Sequence, residues 1–145
     1  MWVVDGIIAG LIAGIFMGIF SQIGYWLGIV KSHLIVVDGA FAVRMINRGG
    51  GNPATYAVGT IIHLVTSIIF GTVYVAIAQL AGFDVHMPVA IAVYVFLLWL
   101  AMLAVALPVA GQGFMGNKVR SSVWLEQLVL HVIFGFSFWW ALGIV

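Results

Sequence analysis

The sequence predicts an all-α integral membrane protein: a four-transmembrane-helix bundle with a short interfacial helix in the first cytoplasmic loop. Three observations predict it. Of 145 residues, 65% are hydrophobic and 6% charged, far from the balance of water-soluble domains. Four apolar stretches, about 3–30, 54–81, 88–107 and 121–143, each supply the roughly 20 residues that a helix needs to cross a hydrocarbon core. Gly6, Gly10, Gly14 and Gly18 stand four residues apart in the first stretch. That spacing lets two backbones approach closely in lipid, where no hydrophobic force draws helices together. The spans consume most of residues 1–145, so one membrane domain is expected, with no catalytic activity of its own. There is no cysteine, which excludes disulfides, thiolate-held iron–sulfur clusters and covalent c-type haem.

The first span carries Asp5 near its start, where a carboxylate suits a helix N-terminus, and continues the glycine row into Gln22. It lacks a basic leader and a small-residue cleavage site, so it reads as a retained helix. In the first loop Asp38 is placed to cap a short helix running through Asn47, with Phe41 and Met45 as its apolar pair. Such a helix would lie in the headgroup plane. Arg44 and Arg48 on this segment, with Lys118 and Arg120 in the third loop, are candidates for lipid-headgroup contact. Gly49-Gly50-Gly51-Asn52-Pro53 reads as a hinge that opens the second span. Pro88 is expected to start the third span and Pro108 to end it.

Gly111-x-Gly113-x-x-Gly116 has the spacing of a dinucleotide fingerprint, but that motif needs a preceding strand and an acidic residue about 20 positions on. A membrane helix precedes it here, and Glu126 comes ten positions after Gly116. The segment reads as a tight turn. Nucleic acid is not an expected partner; membrane lipids and other membrane subunits are.

Charge sets the expected orientation. Lys31, Arg44, Arg48, Lys118 and Arg120 all fall in loops 31–53 and 108–120, and no Lys or Arg falls at the termini or in loop 82–87. This bias puts the two basic loops in the cytoplasm and both termini outside, in an inner membrane. Tyr25, Trp26, Tyr56 and Trp124 mark the inner interface, and Trp2, Trp139 and Trp140 the outer one. Tyr74 and Gln79 are expected at the outer interface as well.

Polar residues in the spans follow the small-residue rows. The second span carries Gly59, His63, Ser67 and Gly71, and the fourth carries Gln127, His131, Gly135, Trp139 and Gly143, all spaced by four. The third span has no such row. Spans one, two and four are therefore expected to pack closely, using Gly6, Gly10, Gly14, Gly18, Gly59, Gly71 and Gly135, with span three more exposed. Counted at 1.5 Å per residue, Gln22, His63 and His131 lie roughly 12–15 Å below the cytoplasmic surface, as one buried polar layer. His33 and His86 fall in loops and are expected to stay apart from it.

Three readings of the layer compete. In one, the imidazoles hydrogen-bond across helices to Gln22, Ser67, Thr66 or Gln127 and specify register. In the second, His63 and His131 ligate a haem b, with space left by the small residues. In the third, the layer handles protons or a quinone, with Glu126 as proton entry. No cofactor is certain, and two histidines with one displaced glutamate make no closed metal shell.

The pattern His63-Leu-x-x-Ser67-x-x-Phe70-Gly71-x-x-Tyr74, then Pro108-x-x-Gly111-x-Gly113-Phe114-x-Gly116, then His131-x-x-Phe134-Gly135 resembles uncharacterised four-span bacterial membrane proteins of the YagU-like kind. The resemblance implies a four-helix inner-membrane protein and carries no functional residue across. The expected function is a small subunit of a larger membrane complex, respiratory or otherwise electron-transferring. The alternatives are a stand-alone proton or small-solute transporter and a homo-oligomer assembled through the glycine row.

The absence of native cysteine makes the orientation directly readable. Asp84→Cys should react with a membrane-impermeant maleimide in intact cells, and Lys118→Cys only after permeabilisation. The reverse pattern would invert the topology.

Overall fold

The computed structural model describes residues 2–45 and 52–145, less the side chains of 42–45 and 52–54. Asn47, Arg48 and Gly49–Gly51 lie outside the described residues, as do the side chains of Arg44 and Met45. Five helices follow in order: α1 (Trp2–Trp26), α2 (Leu34–Met45), α3 (Asn52–Ala81), α4 (Pro88–Val109) and α5 (Val123–Leu142). Among the described residues there is no strand. All but α2 contain a stretch long and apolar enough to cross a membrane, so the chain is a multi-pass helical bundle. Its loops at 27–33 and 110–122 share one end, here the basic end; the termini and residues 82–87 share the other, the terminal end.

α1 is the centre of the bundle, packed along α3 on one side and α5 on the other. The glycine row makes the first contact possible. A Cβ on Gly10 would strike the Ser67 carbonyl oxygen, one on Gly6 would come within 2.8 Å of Thr72 Cα, and one on Gly71 within 2.7 Å of Gly10 Cα. Gly14 faces Ser67 in the same way, at 2.6 Å from its Cβ. The row is thus used inside the chain, between antiparallel helices. Gly18 differs: its nearest neighbour would be the His63 ring at 3.6 Å, an ordinary contact. α4 packs on α5, where Gly135 faces Val95. With 22% of its apolar window buried, against 33–44% for the others, the third span is the most exposed, as its lack of a row implies.

Several element ends depart from the sequence expectation for local reasons. α1 stops at Trp26, because Gly28 takes a left-handed conformation (φ +72°) that ends the helix. The Ile29 and Val30 amides then both donate to the Gly24 carbonyl. α4 continues through Pro108 to Val109. A proline would clash with the carbonyl four residues earlier; a π segment over Met102–Ala106 widens the turn, and Leu107 N–H donates to the Met102 carbonyl. Residues 111–116 form the expected tight turn, with positive φ at Gly111, Gly113, Met115 and Gly116.

The aromatic residues expected at the interfaces are exposed at the two ends: Tyr25, Trp26, Tyr56 and Trp124 at one, Trp2, Trp139 and Trp140 at the other. Tyr74 is an exception. It is buried among Phe83, Tyr94 and Phe138, its hydroxyl donating to the Val85 carbonyl. Loop 82–87 folds back over it, a packing that span counting does not reveal.

The interlock separates the glycines energetically. Gly10→Ala should cost about 1–3 kcal/mol by forcing the backbones apart. Gly18→Ala should be neutral or stabilising by up to about 1 kcal/mol, through helix propensity. Reversible unfolding in detergent or bicelles reads both; equal effects would refute the interlock.

Candidate functional site

The site is built where α2 enters the bundle. After Gly28 the chain turns back toward the membrane interior, and α2 then runs antiparallel to α3, with Ile35 against Gly59 and Gly39 against Thr55. A Cβ on Gly59 would meet the Ile35 carbonyl, so the two helices touch backbone to backbone. The first half of α2 is therefore largely buried rather than free on a surface, with Leu34, Ile35 and Val37 among the core residues. Asp38 lies in the second turn and does not cap the helix. Its carboxylate Oδ2 instead meets His63 Nδ1 at 3.0 Å. The other His63 nitrogen, Nε2, lies 2.9 Å from the Gly14 carbonyl oxygen.

This pair forms part of the wall of a cavity of about 250 Å³ between α3 and α4. At the terminal side the two helices are joined: Tyr94 Oη donates to the Phe70 carbonyl at 2.8 Å, and the Tyr94 ring lies against Tyr74. Toward the basic end they separate, and α2 fills the gap, touching α3, the π segment and the end of α4. Met102, Val105 and Ala106 of the π segment line the cavity. Ala101 and Val105 on its rim are exposed, so the mouth opens sideways, within the apolar belt. His131 of α5 borders the cavity too. Its Nδ1 donates to the Gln127 carbonyl at 2.8 Å, and its Nε2 has no hydrogen-bond partner among the described residues.

The expected single layer is therefore two. The register of α1 against α3 sets His63 beside Gly14 and Gly18, and Gln22 lies one turn, about 6 Å, nearer the basic end. There Gln22 Oε1 accepts from His33 Nε2 at 2.7 Å. His33, expected outside the layer, is buried between the edges of Tyr25 and Tyr56. His63 and His131 do not bond to each other; they border the same cavity from α3 and α5. Ser67 lines the cavity beside Gly14, as a small wall residue.

A second cluster holds the reversal. Glu126 accepts from the Lys31 amide at 2.7 Å, the Ser32 amide at 3.2 Å and the Ser122 hydroxyl at 3.2 Å. Ser32 Oγ donates to Gln112 Oε1 at 2.6 Å, and Ser21 Oγ accepts from the Leu34 amide. Gln127 packs against Ser32. His33 Nδ1 and Gln127 Oε1 are buried without a partner among the described residues, positions where a bound water would complete the network. Lys31 and Arg120 border a shallow groove with Tyr25 at the same end, a surface suited to an anionic headgroup; Lys118 stands exposed nearby.

Asp38, His33, Ser21, Ser32 and Gln112 are the site residues that sequence reasoning missed. The signal that would have found them is Gly28: a helix stop there leaves residues 29–33 too short to remain outside and turns the polar segment inward. Among the described residues no cluster of three or more His, Asp or Glu groups suits a metal ion. Haem ligation asks for a free lone pair on His63, and both of its nitrogens already face oxygen atoms. The chain matches no family model, no curated protein and no solved structure. The resemblance to YagU-like proteins therefore rests on the quoted motifs alone.

Burial holds His33 below the ordinary histidine value, opposed only in part by a backbone hydrogen bond. As pH falls below about 6.5, the unfolded chain takes up a proton that the folded ring resists, so stability is lost on acidification and is unaffected above that range. The melting temperature should fall between pH 7.5 and pH 5.5, and His33→Gln should flatten the dependence. An unchanged slope in the variant would assign the effect to another group.

Proposed function

We propose that the chain is a small membrane subunit that binds a lipid-soluble hydroxyl compound of the quinol class between α3 and α4. The observation that carries this reading is the sideways mouth of the cavity, with His131 on its wall. Since the Gln127 carbonyl only accepts, the neutral His131 ring holds its proton on Nδ1 and offers a lone pair at Nε2. A ligand that satisfies it must bring a hydrogen-bond donor, which a hydroxyl supplies. Apart from Asp38, His63, Thr66 and Ser67 the remaining wall is apolar, which favours a molecule that arrives from the bilayer. A quinol meets both demands, and it gives the favoured context: a membrane electron-transfer assembly, with the basic end of this subunit in the cytoplasm.

A photoreactive short-chain quinol in nanodiscs tests this. It should label peptides from α3 and α4 and be displaced by unlabelled quinol. Ala101→Trp, which fills the mouth, and His131→Phe, which removes the acceptor, should each weaken binding about tenfold, the equivalent of one hydrogen bond of about 1.4 kcal/mol. Labelling spread over the lipid-facing surface, or unaffected by both substitutions, would defeat the reading.

A further inference from the structure

We infer that His63 and Asp38 together form a buried loading site for a single proton. The case rests on which atoms face one another. Nε2 of His63 lies 2.9 Å from the Gly14 carbonyl oxygen, and a backbone carbonyl only accepts, so Nε2 carries a hydrogen. That leaves Nδ1 and Asp38 Oδ2, 3.0 Å apart, with room for one hydrogen between them. If it sits on nitrogen, the pair is imidazolium and carboxylate; if it sits on oxygen, the pair is neutral imidazole and carboxylic acid. Both states hold the same one proton and the same net charge of zero. Without it, a nitrogen lone pair would face a carboxylate oxygen in a site where the two side chains are 6% and 19% exposed.

Among the described residues the surroundings supply no competing charge. α1 presents the Gly14 carbonyl and Gly18, α3 adds the hydroxyls of Thr66 and Ser67, and α4 lines the cavity with apolar side chains. α5 contributes His131 across the cavity. Among the described residues no Lys or Arg pairs with Asp38. A carboxylate that the low-dielectric interior would otherwise penalise is thus compensated by the proton it shares. Asp38 is the more open member and faces the cavity, so exchange runs through it. A one-proton site inside a membrane bundle is the element that proton coupling needs. It stands on the geometry of the pair and is independent of which ligand fills the cavity.

Solid-state NMR of the unmodified chain, 15N-labelled at histidine and held in bilayers, reads the site directly. At neutral pH His63 should carry a hydrogen on Nε2, and one further hydrogen should lie between Nδ1 and Asp38 Oδ2. In Asp38→Asn the side-chain amide donates to Nδ1, the ring stays neutral and the shared hydrogen is lost. A His63 ring with hydrogen on Nδ1 and a bare Nε2 would overturn the inference, as would a variant ring that still carries hydrogen on both nitrogens at neutral pH. The tautomer is read on the native protein, so the test survives a variant that fails to fold. Failure here leaves quinol labelling untouched, and failure of labelling leaves the proton count untouched.

Discussion

The structure depends on how closely α1 and α3 approach. In lipid no hydrophobic force holds them together, so their association rests on dispersion contacts and complementary backbones. Gly6, Gly10 and Gly14 on one helix, with Ser67 and Gly71 on the other, remove the side chains that would keep them apart. The consequence reaches beyond packing. With no side chain at Gly14 or Gly18, the Gly14 carbonyl is uncovered for His63. A row that reads as a packing device therefore also fixes the hydrogen-bonding state of a buried imidazole.

A central α1 decides the rest of the arrangement. α3 and α5 lie on its two sides without extended contact, and α4 reaches the bundle mainly through α5. The space left between α3 and α4 is filled at one end by Tyr74 and Tyr94 and at the other by α2. What remains in the middle is the cavity. Pro108 contributes at a distance: the π segment that absorbs its clash brings Met102, Val105 and Ala106 to the cavity wall. π segments recur at functional sites, and here the local cause is a proline one turn away.

Burial of α2 creates an obligation, since polar groups carried into an apolar interior need partners. The chain meets it from several helices at once. Glu126 on α5 takes up the amides of Lys31 and Ser32, Ser21 on α1 takes the Leu34 amide, and Gln22 receives His33. The Glu126 contacts join segments nearly a hundred residues apart, so the reversal after α1 is held by the same network that orders the basic end. Glu126, which by position alone resembles a proton entry, has its acceptors engaged in this clasp.

By itself the sequence determined that the chain is a helical membrane bundle, which four stretches are long enough to span, and which helix is the most exposed. These follow from composition, length and period, and each is a property of a segment taken alone. It also marked His63 and His131 as the intramembrane histidines worth following. Only the tertiary structure decided their partners. Depth counted along separate helices aligned Gln22 with His63, but the α1–α3 register displaces them by a turn and gives each a partner from residues 33–38. That segment read as surface because a polar loop and a buried re-entry have the same composition; the difference lies in the Gly28 turn and in the Gly59 surface that receives α2. A cavity, likewise, belongs to no single helix: it exists where two helices fail to meet.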